Sequence, residues 1–298
     1  MSASRSSTTT KYLCIILCSL LIIFFLYKLL KTPSSGHKFV TTKSCLESNL
    51  AQNNTFYSQF LEDFILAIIF KDIEKGTYID VGANNPNNDS VTNYFYLKGW
   101  RGINIEPIDY WYRELIKYRP NDVNLNIGIS DRSENLILSV ISTKNNKLVD
   151  VLSTFDPTVL KTALHDGYSY TSRSVPMRPL NDVLQDYHMK DINFISIDVE
   201  GMEAKVLHGI DLKKHRPWVF IIEAVEPRTI TRSDEKWKNI LINNNYIYVM
   251  FDGINVYYVA KEHYKKLHDN VKKAYSCALD VNKKYHVINN ELDYAHST

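Results

Sequence analysis

Acidic side chains recur where short apolar runs end. "TYIDV" carries Asp80 and passes directly into Gly82, Ala83, Asn84 and Asn85; "GINIEP" ends in Glu106; "INFISIDVEGME" ends in Asp198 and Glu200, with Glu203 just beyond; "WVFIIEA" closes on Glu223 and Glu226. Each run has strand length, and ligands of open α/β sheets bind outside the carboxyl ends of the strands. One rim of acids is therefore expected. Such a rim repels phosphate. The loop after Asp80 also lacks the G-x-G-x-x-G spacing that lets a helix N-terminus meet pyrophosphate, since Gly82 alone is present. No G-K-[ST] follows a strand, which excludes a P-loop, and no D-x-D metal motif suits a nucleotide-sugar transferase. Glu106, some 25 residues after the first loop, stands where a carboxylate accepts both hydroxyls of a ribose. Gly82 and Ala83 let backbone approach a ligand closely. The set suits a nucleoside that carries an amino acid and positive charge in place of phosphates, and S-adenosylmethionine is such a molecule.

The elements that would hold these residues alternate. "YSQFLEDFILAIIF", "SVTNYFYLKG", "DYWYRELIKY", "PLNDVLQDYH", "GMEAKVLHGI" and "SDEKWKNILINN" have helical character. "TYIDV", "GINIEP", "VNLNIGI", "NLILSVI", "INFISIDV", "WVFIIEA", "YIYVMF" and "NVYYVA" read as strands. Strands that are apolar along their whole length, separated by helices, predict a doubly wound, mostly parallel sheet covered on both faces. Only "DGI" separates the last two strands, which predicts an antiparallel edge hairpin.

Charge divides the 298-residue chain. Residues 1–43 carry six Lys or Arg and no acid, leaving the rest with 29 basic against 33 acidic side chains. A mildly acidic body argues against nucleic acid as a partner. Residues 12–30 form a largely apolar run whose only charge is Lys28. As a helix it would reach about 28 Å, close to the roughly 30 Å hydrocarbon core of a bilayer. The expected organisation is a tail over 1–11, a transmembrane anchor over 12–30, a stem over 31–55, a globular domain over 56–262 and a C-terminal helical extension over 263–298. A cleaved signal peptide and a buried core helix are the competing readings of the apolar run. Orientation has conflicting signals. The lysines after the run favour a cytosolic body. The sequons at Asn53 and Asn88 have meaning only in a secretory lumen, which favours a type II protein of the endoplasmic reticulum or Golgi. Cys45 and Cys277 are the only cysteines outside the run; they read as a disulfide or as two free thiols.

The blocks "YSQFLEDFIL", "GTYIDVGANNPNNDSVTNYFYLKGWRGINIEP", "SVPMRPLNDVL" and "FISIDVEGMEAKVLHGID", in this order, resemble the FkbM family of S-adenosylmethionine-dependent methyltransferases. The resemblance runs from about Tyr57 to Glu226. It implies a class I methyltransferase (Rossmann-like) fold and methyl transfer to a hydroxyl, often of a sugar, glycolipid or polyketide. Carried over residue by residue, it implies that Asp80, Gly82, Ala83 and Asn84 cradle the methionine part and that Glu106 holds the ribose. It places Ser130 and Asp131 of "GISDR" against the adenine, and Asp198, Glu200 and Glu203 beside the methyl group or its acceptor. Methyl transfer to oxygen needs alignment and an acceptor for the hydroxyl proton. Asp198 and Glu200 are the candidates. They alternate across a strand, which favours direct proton transfer over a shared metal ion. The expected protein is a membrane-anchored O-methyltransferase acting on a carbohydrate or glycolipid-like hydroxyl. The rival reading is a catalytically inactive binding or trafficking protein of the secretory pathway that keeps the fold. Each acid also has a plainer reading, as a helix cap or a solvated strand end.

Overall fold

A computed structural model describes residues 54–143, 153–226, 231–285 and 293–294. The chain divides into two units, 1–36 and 37–298, and the whole of the first lies outside the described residues, as do the anchor expected over 12–30, most of the stem and the sequon at Asn53. Among the described residues no helix is long and apolar enough to cross a membrane.

Helix α1 (Glu62–Ile69) comes first, followed by β1 (Thr77–Val81), α2 (Asn93–Leu97), β2 (Arg101–Ile105), α3 (Asp109–Tyr118) and β3 (Val123–Leu125). A separate small sheet is then built from β4 (Gly128–Ile129), β5 (Glu134–Ser142) and β6 (Ser169–Arg178), with α4 (Pro157–His165) between the last two. The chain returns through α5 (Leu180–Asp186), β7 (Phe194–Ile197), α6 (Glu203–His208), β8 (Val219–Glu223) and α7 (Lys238–Ile242). It closes with β9 (Tyr246–Phe251), β10 (Asn255–Ala260), α8 (Lys261–Tyr285) and β11 (Asp293–Tyr294).

The main sheet has the order β11-β9-β10-β8-β7-β1-β2-β3. Pairing is parallel from β3 to β8 and antiparallel through β10, β9 and β11. The expected mostly parallel sheet with an antiparallel hairpin at its edge is therefore present. Alternation along each strand divides the core by face. Tyr78, Phe194, Val219 and Ile221 face a layer built with α1 and α8. Ile79, Ile195, Phe220 and Ile222 face a layer built with α5, α6 and α7. All eight residues of α1 are buried, the six apolar ones on all sides and the two acids of its first turn with them.

Two expectations are corrected. "VNLNIGI" is not one strand. Its ladder ends where the Glu106 N–H meets Leu125 O (3.0 Å), and the Asn126 amide then donates to the carbonyls of Glu106 (2.9 Å) and Pro107 (3.2 Å). That side chain occupies the acceptors the next rung would use and turns β4 into the other sheet. "NLILSVI" leaves the main sheet as well, since β5 pairs antiparallel with β6 from Glu134↔Met177 to Ser142↔Ser169. Strand β6 reads as polar because only Val175 and Met177 of it are buried. Helix α4 had a legible start that periodicity overlooked: Asp156 accepts the Thr158 N–H (2.6 Å), with proline in the first turn. The C-terminal helix begins at Lys261, directly where β10 ends.

Candidate functional site

Strand order reverses beside β1. From β1 the chain proceeds to β2 and β3 on one side and later to β7 and β8 on the other, so the crevice lies between the carboxyl ends of β1 and β7. Gly82 turns the chain out of β1 at φ +89°, and a Cβ built on it would stand 1.8 Å from the carbonyl oxygen of Asp198. Only glycine lets the two strand ends approach this closely.

The loop spends its N–H groups inside the protein. Those of Gly82 and Ala83 both donate to Ile105 O (3.0 and 3.1 Å), and that of Asn84 donates to Glu106 Oε2 (2.8 Å). Asn84 has φ +46°, a left-handed conformation that asparagine tolerates. Farther on, Asn85 Oδ1 accepts from the N–H groups of Asn87 (2.9 Å) and Asn88 (3.1 Å), an Asx turn. The asparagines therefore shape the loop locally. They leave no array of free donors for a pyrophosphate.

Asp80 and Glu106 are almost completely buried, at 4% and 3% exposure. Asp80 Oδ2 accepts from Thr92 Oγ1 (2.7 Å). Burial pushes its pKa up to about 6, against the pull of the Thr92 hydroxyl and the Arg119 guanidinium. Glu106 receives the Asn84 N–H on one oxygen and the Ile108 N–H on the other (2.6 Å). The two backbone N–H groups fix the orientation of this carboxylate at the carboxyl end of β2. The residues fit the cationic cofactor expected from the sequence: acids for its charged groups and, at Glu106, a carboxylate held rigid by backbone donors.

Across the crevice, Asp198 is exposed at the mouth, and that exposure limits how far the crowding of nearby protein, which pushes its pKa up, can act. It shares a hydrogen bond with Glu223, whose carboxyl is driven far upward by burial and then by the fields of Asp198, Glu200 and Glu203. The parallel register Ile197↔Ile222 explains the meeting, since each acid directly follows one residue of that pair. Glu200 is half-buried with φ +53°, and Gly201 follows at +98°. Two left-handed residues in succession are a costly turn for a non-glycine. Glu203 is buried, accepts the Gly201 N–H (3.0 Å) and has its pKa raised by burial to about 7. Its role as an N-terminal helix acid coexists with a place in this cluster. Among the described residues no three carboxylate, histidine or cysteine groups converge as ligands of a metal ion.

Ser130 and Asp131 stand at the end of β4. The Ser130 N–H donates to Arg178 O (3.0 Å), and its hydroxyl donates to Asp131 (3.1 Å), a bond that holds the exposed Asp131 carboxyl below its usual range. Ser130 O abuts the C-terminal end of α6, where a Cβ on Gly209 would lie 2.3 Å from it. Thus Asp80, Gly82, Ala83, Asn84, Glu106 and Asp198 are tied together by direct bonds, approaches and fields, whereas Ser130 and Asp131 are bonded to the small sheet. Three residues went unread in the sequence. Thr92, Arg119 and Asp122 are buried polar groups beneath the loop, and neither spacing nor periodicity marks them.

A family model described as the methyltransferase FkbM domain matches residues 80–248, and no curated protein matches the chain. The match extends beyond Glu226 into β9 and leaves out the block at Tyr57, which nonetheless folds tightly: Asp63 accepts from the Tyr57 N–H (2.5 Å) and the Ser58 hydroxyl (2.6 Å). More than half of the chain is covered, from the acid of the first loop to the edge hairpin, and the chain therefore belongs to the FkbM methyltransferase-domain family and is a methyltransferase.

Proposed function

We propose that this chain is an S-adenosylmethionine-dependent O-methyltransferase, anchored in a membrane through residues 12–30 with its catalytic domain in the lumen of the secretory pathway. In this reading Asp80 and the loop 82–84 hold the amino-acid part of the cofactor, Glu106 its ribose, and Ser130 with Asp131 the adenine side. The observation that carries it is the pairing of Glu106, fixed by two backbone N–H groups, with a glycine loop whose own N–H groups are already engaged. When bound, the cofactor supplies an electrophilic methyl group. Asp198 at the crevice mouth would take the proton that the acceptor hydroxyl gives up on methylation. Glu200 and Glu223 shape the field in which Asp198 does so.

A carbohydrate or glycolipid-like acceptor suits the site. Tyr110 and Trp111 open α3 just beyond Glu106, edge to face at 4.7 Å; Tyr110 is exposed and Trp111 half-buried, and such rings pack against the apolar face of a sugar. The lumenal placement is supported by two residues. Cys277 is disulfide-bonded, with its partner outside the described residues, and disulfides persist in oxidising compartments. The sequon residue Asn88 is exposed.

Incubation of the full-length chain with methyl-labelled S-adenosylmethionine and mixed glycans or glycolipids should give labelled ether product, and a chain that binds the cofactor yet labels no hydroxyl acceptor would contradict the acceptor class. Expression in the presence of microsomes should give a glycosidase-sensitive species that Asn53→Gln and Asn88→Gln together abolish. Insensitivity of the parent chain would argue for the opposite orientation.

A further inference from the structure

Arg119 has no part in the family resemblance, yet it is the cation at the centre of the buried ground beneath the candidate site. It follows the last turn of α3 and is 1% exposed. An arginine so deep in a fold is rare unless paired. Its Nη2 donates to the carbonyl oxygen of Pro86 (2.5 Å) and to Ser90 Oγ (3.2 Å), its Nη1 to the Tyr78 hydroxyl (3.5 Å), and its guanidinium lies 4.9 Å from the centre of the Tyr96 ring. Two of these contacts pin the asparagine loop from below. From Ser90 the line continues: Ser90 Oγ meets Thr92 Oγ1 (3.5 Å), which donates to Asp80 Oδ2 (2.7 Å).

The backbone at Arg119 is equally tied. Its carbonyl oxygen accepts from the Asp122 N–H (3.1 Å) and the Asn124 side chain (3.0 Å), and Asp122 accepts from Gly102 N–H (2.9 Å), Asn104 (3.1 Å) and Tyr78 (2.5 Å). The fork is thus anchored to β1, β2 and β3 at once. It is aimed at a loop otherwise held by its Asx turn, by the Asn84 N–H on Glu106 (2.8 Å) and by the Asn93 amide on Asn87 O (3.3 Å), and it grips the Pro86 carbonyl from the strand side.

We infer that Arg119 is the positioning residue of the cofactor site, which fixes the loop 84–92 and couples its conformation through Ser90 and Thr92 to the carboxylate of Asp80. The coupling to the cofactor rests on the proposed function; the bracing of the loop does not. A planar fork makes these directed bonds and a lysine ammonium does not, whereas both supply charge. Charge and geometry can therefore be separated. Asp80 is faced by Arg119 from the end of α3, by Asp122 ahead of β3, by Asp198 after β7, by Tyr78 on its own strand and by the Thr92 hydroxyl. Of these, only the arginine is a cation favouring the carboxylate.

The test compares Arg119→Lys and Arg119→Met in the full-length chain. Hydrogen exchange in 84–92 should accelerate in both variants, because both lose the fork. The titration midpoint of Asp80, followed by carboxyl-carbon resonance, should rise in Arg119→Met and stay near the parent value in Arg119→Lys. Affinity for S-adenosylmethionine near neutral pH should fall in Arg119→Met, by about twofold where the Asp80 midpoint rises one unit from about 6, and less in Arg119→Lys. Parent-like exchange in both variants would overturn the bracing role. An unmoved Asp80 midpoint in Arg119→Met would overturn the coupling. Absence of cofactor binding in every chain, the parent included, with the exchange and titration changes intact, would support the bracing and sink the proposed function instead.

Discussion

At the scale of single residues, the site is an arrangement of carboxylates with different jobs. Glu106 is fixed by backbone donors, Asp80 is buried over an arginine, and Asp198 is open to the crevice and bonded to Glu223. Asp80→Ala and Glu106→Ala should each weaken binding of S-adenosylmethionine by about 1–3 kcal/mol, the usual loss for charge-assisted hydrogen bonds, as read by calorimetry. Asp198→Asn should behave differently, lowering turnover with little change in affinity, and an unaltered rate would remove it from the mechanism. These acids were legible in the sequence because each ends an apolar run. Arg119 and Thr92 were not, because a buried polar residue looks like any surface one until the chain closes over it. The placement of Ser130 and Asp131 came from family resemblance alone, and their bonds run to the small sheet.

At the scale of elements, positions are set by strand ends and by what turns the chain there. Gly82→Ala would put a methyl group against Asp198 O at a positive φ. It should lower Tm and abolish cofactor binding together, since either β1 or β7 must shift; a well-folded variant with parent affinity would contradict the close approach. Helix α8 is held differently. It packs on α1 through Leu267, Val271 and Ala274, with the disulfide-bonded Cys277 fully buried beside them. Cys277→Ser should cost about 2–4 kcal/mol, as removal of a disulfide does, and reductant should lower the Tm of the parent chain but not of the variant. Strand and helix alternation predicted the main sheet and its hairpin. It failed for β4 to β6, because a carbonyl-capping asparagine and a polar strand redirect the chain without any break in apolar content.

At the scale of the whole molecule, several buried acids titrate upward. Burial raises Glu62 to about 8, Glu203 to about 7, and Asp63 and Asp80 to about 6, from ordinary values between 3.8 and 4.5. The folded chain thus holds more protons than the unfolded one between about pH 4 and 8. The associated stability is complete below the unfolded values and is lost as pH rises through the folded ones. Glu262, held down to about 2 by Arg216, acts oppositely, but only below about pH 4.5. Tm should therefore be higher near pH 5.5 than near pH 8, by about 2–4 °C for each kcal/mol regained, and a maximum near pH 8 would show that these acids are ionised at little cost. Cofactor affinity should run the other way, weakening as pH falls through about 6 and Asp80 takes up its proton.

Isothermal calorimetry of the full-length chain with S-adenosylmethionine, repeated with Asp80→Ala and Glu106→Ala, tests the cationic-nucleoside crevice most directly. The predicted result is saturable binding near neutral pH that the demethylated product displaces and that both substitutions weaken. No heat at millimolar ligand, or equal affinity in all three chains, would contradict it.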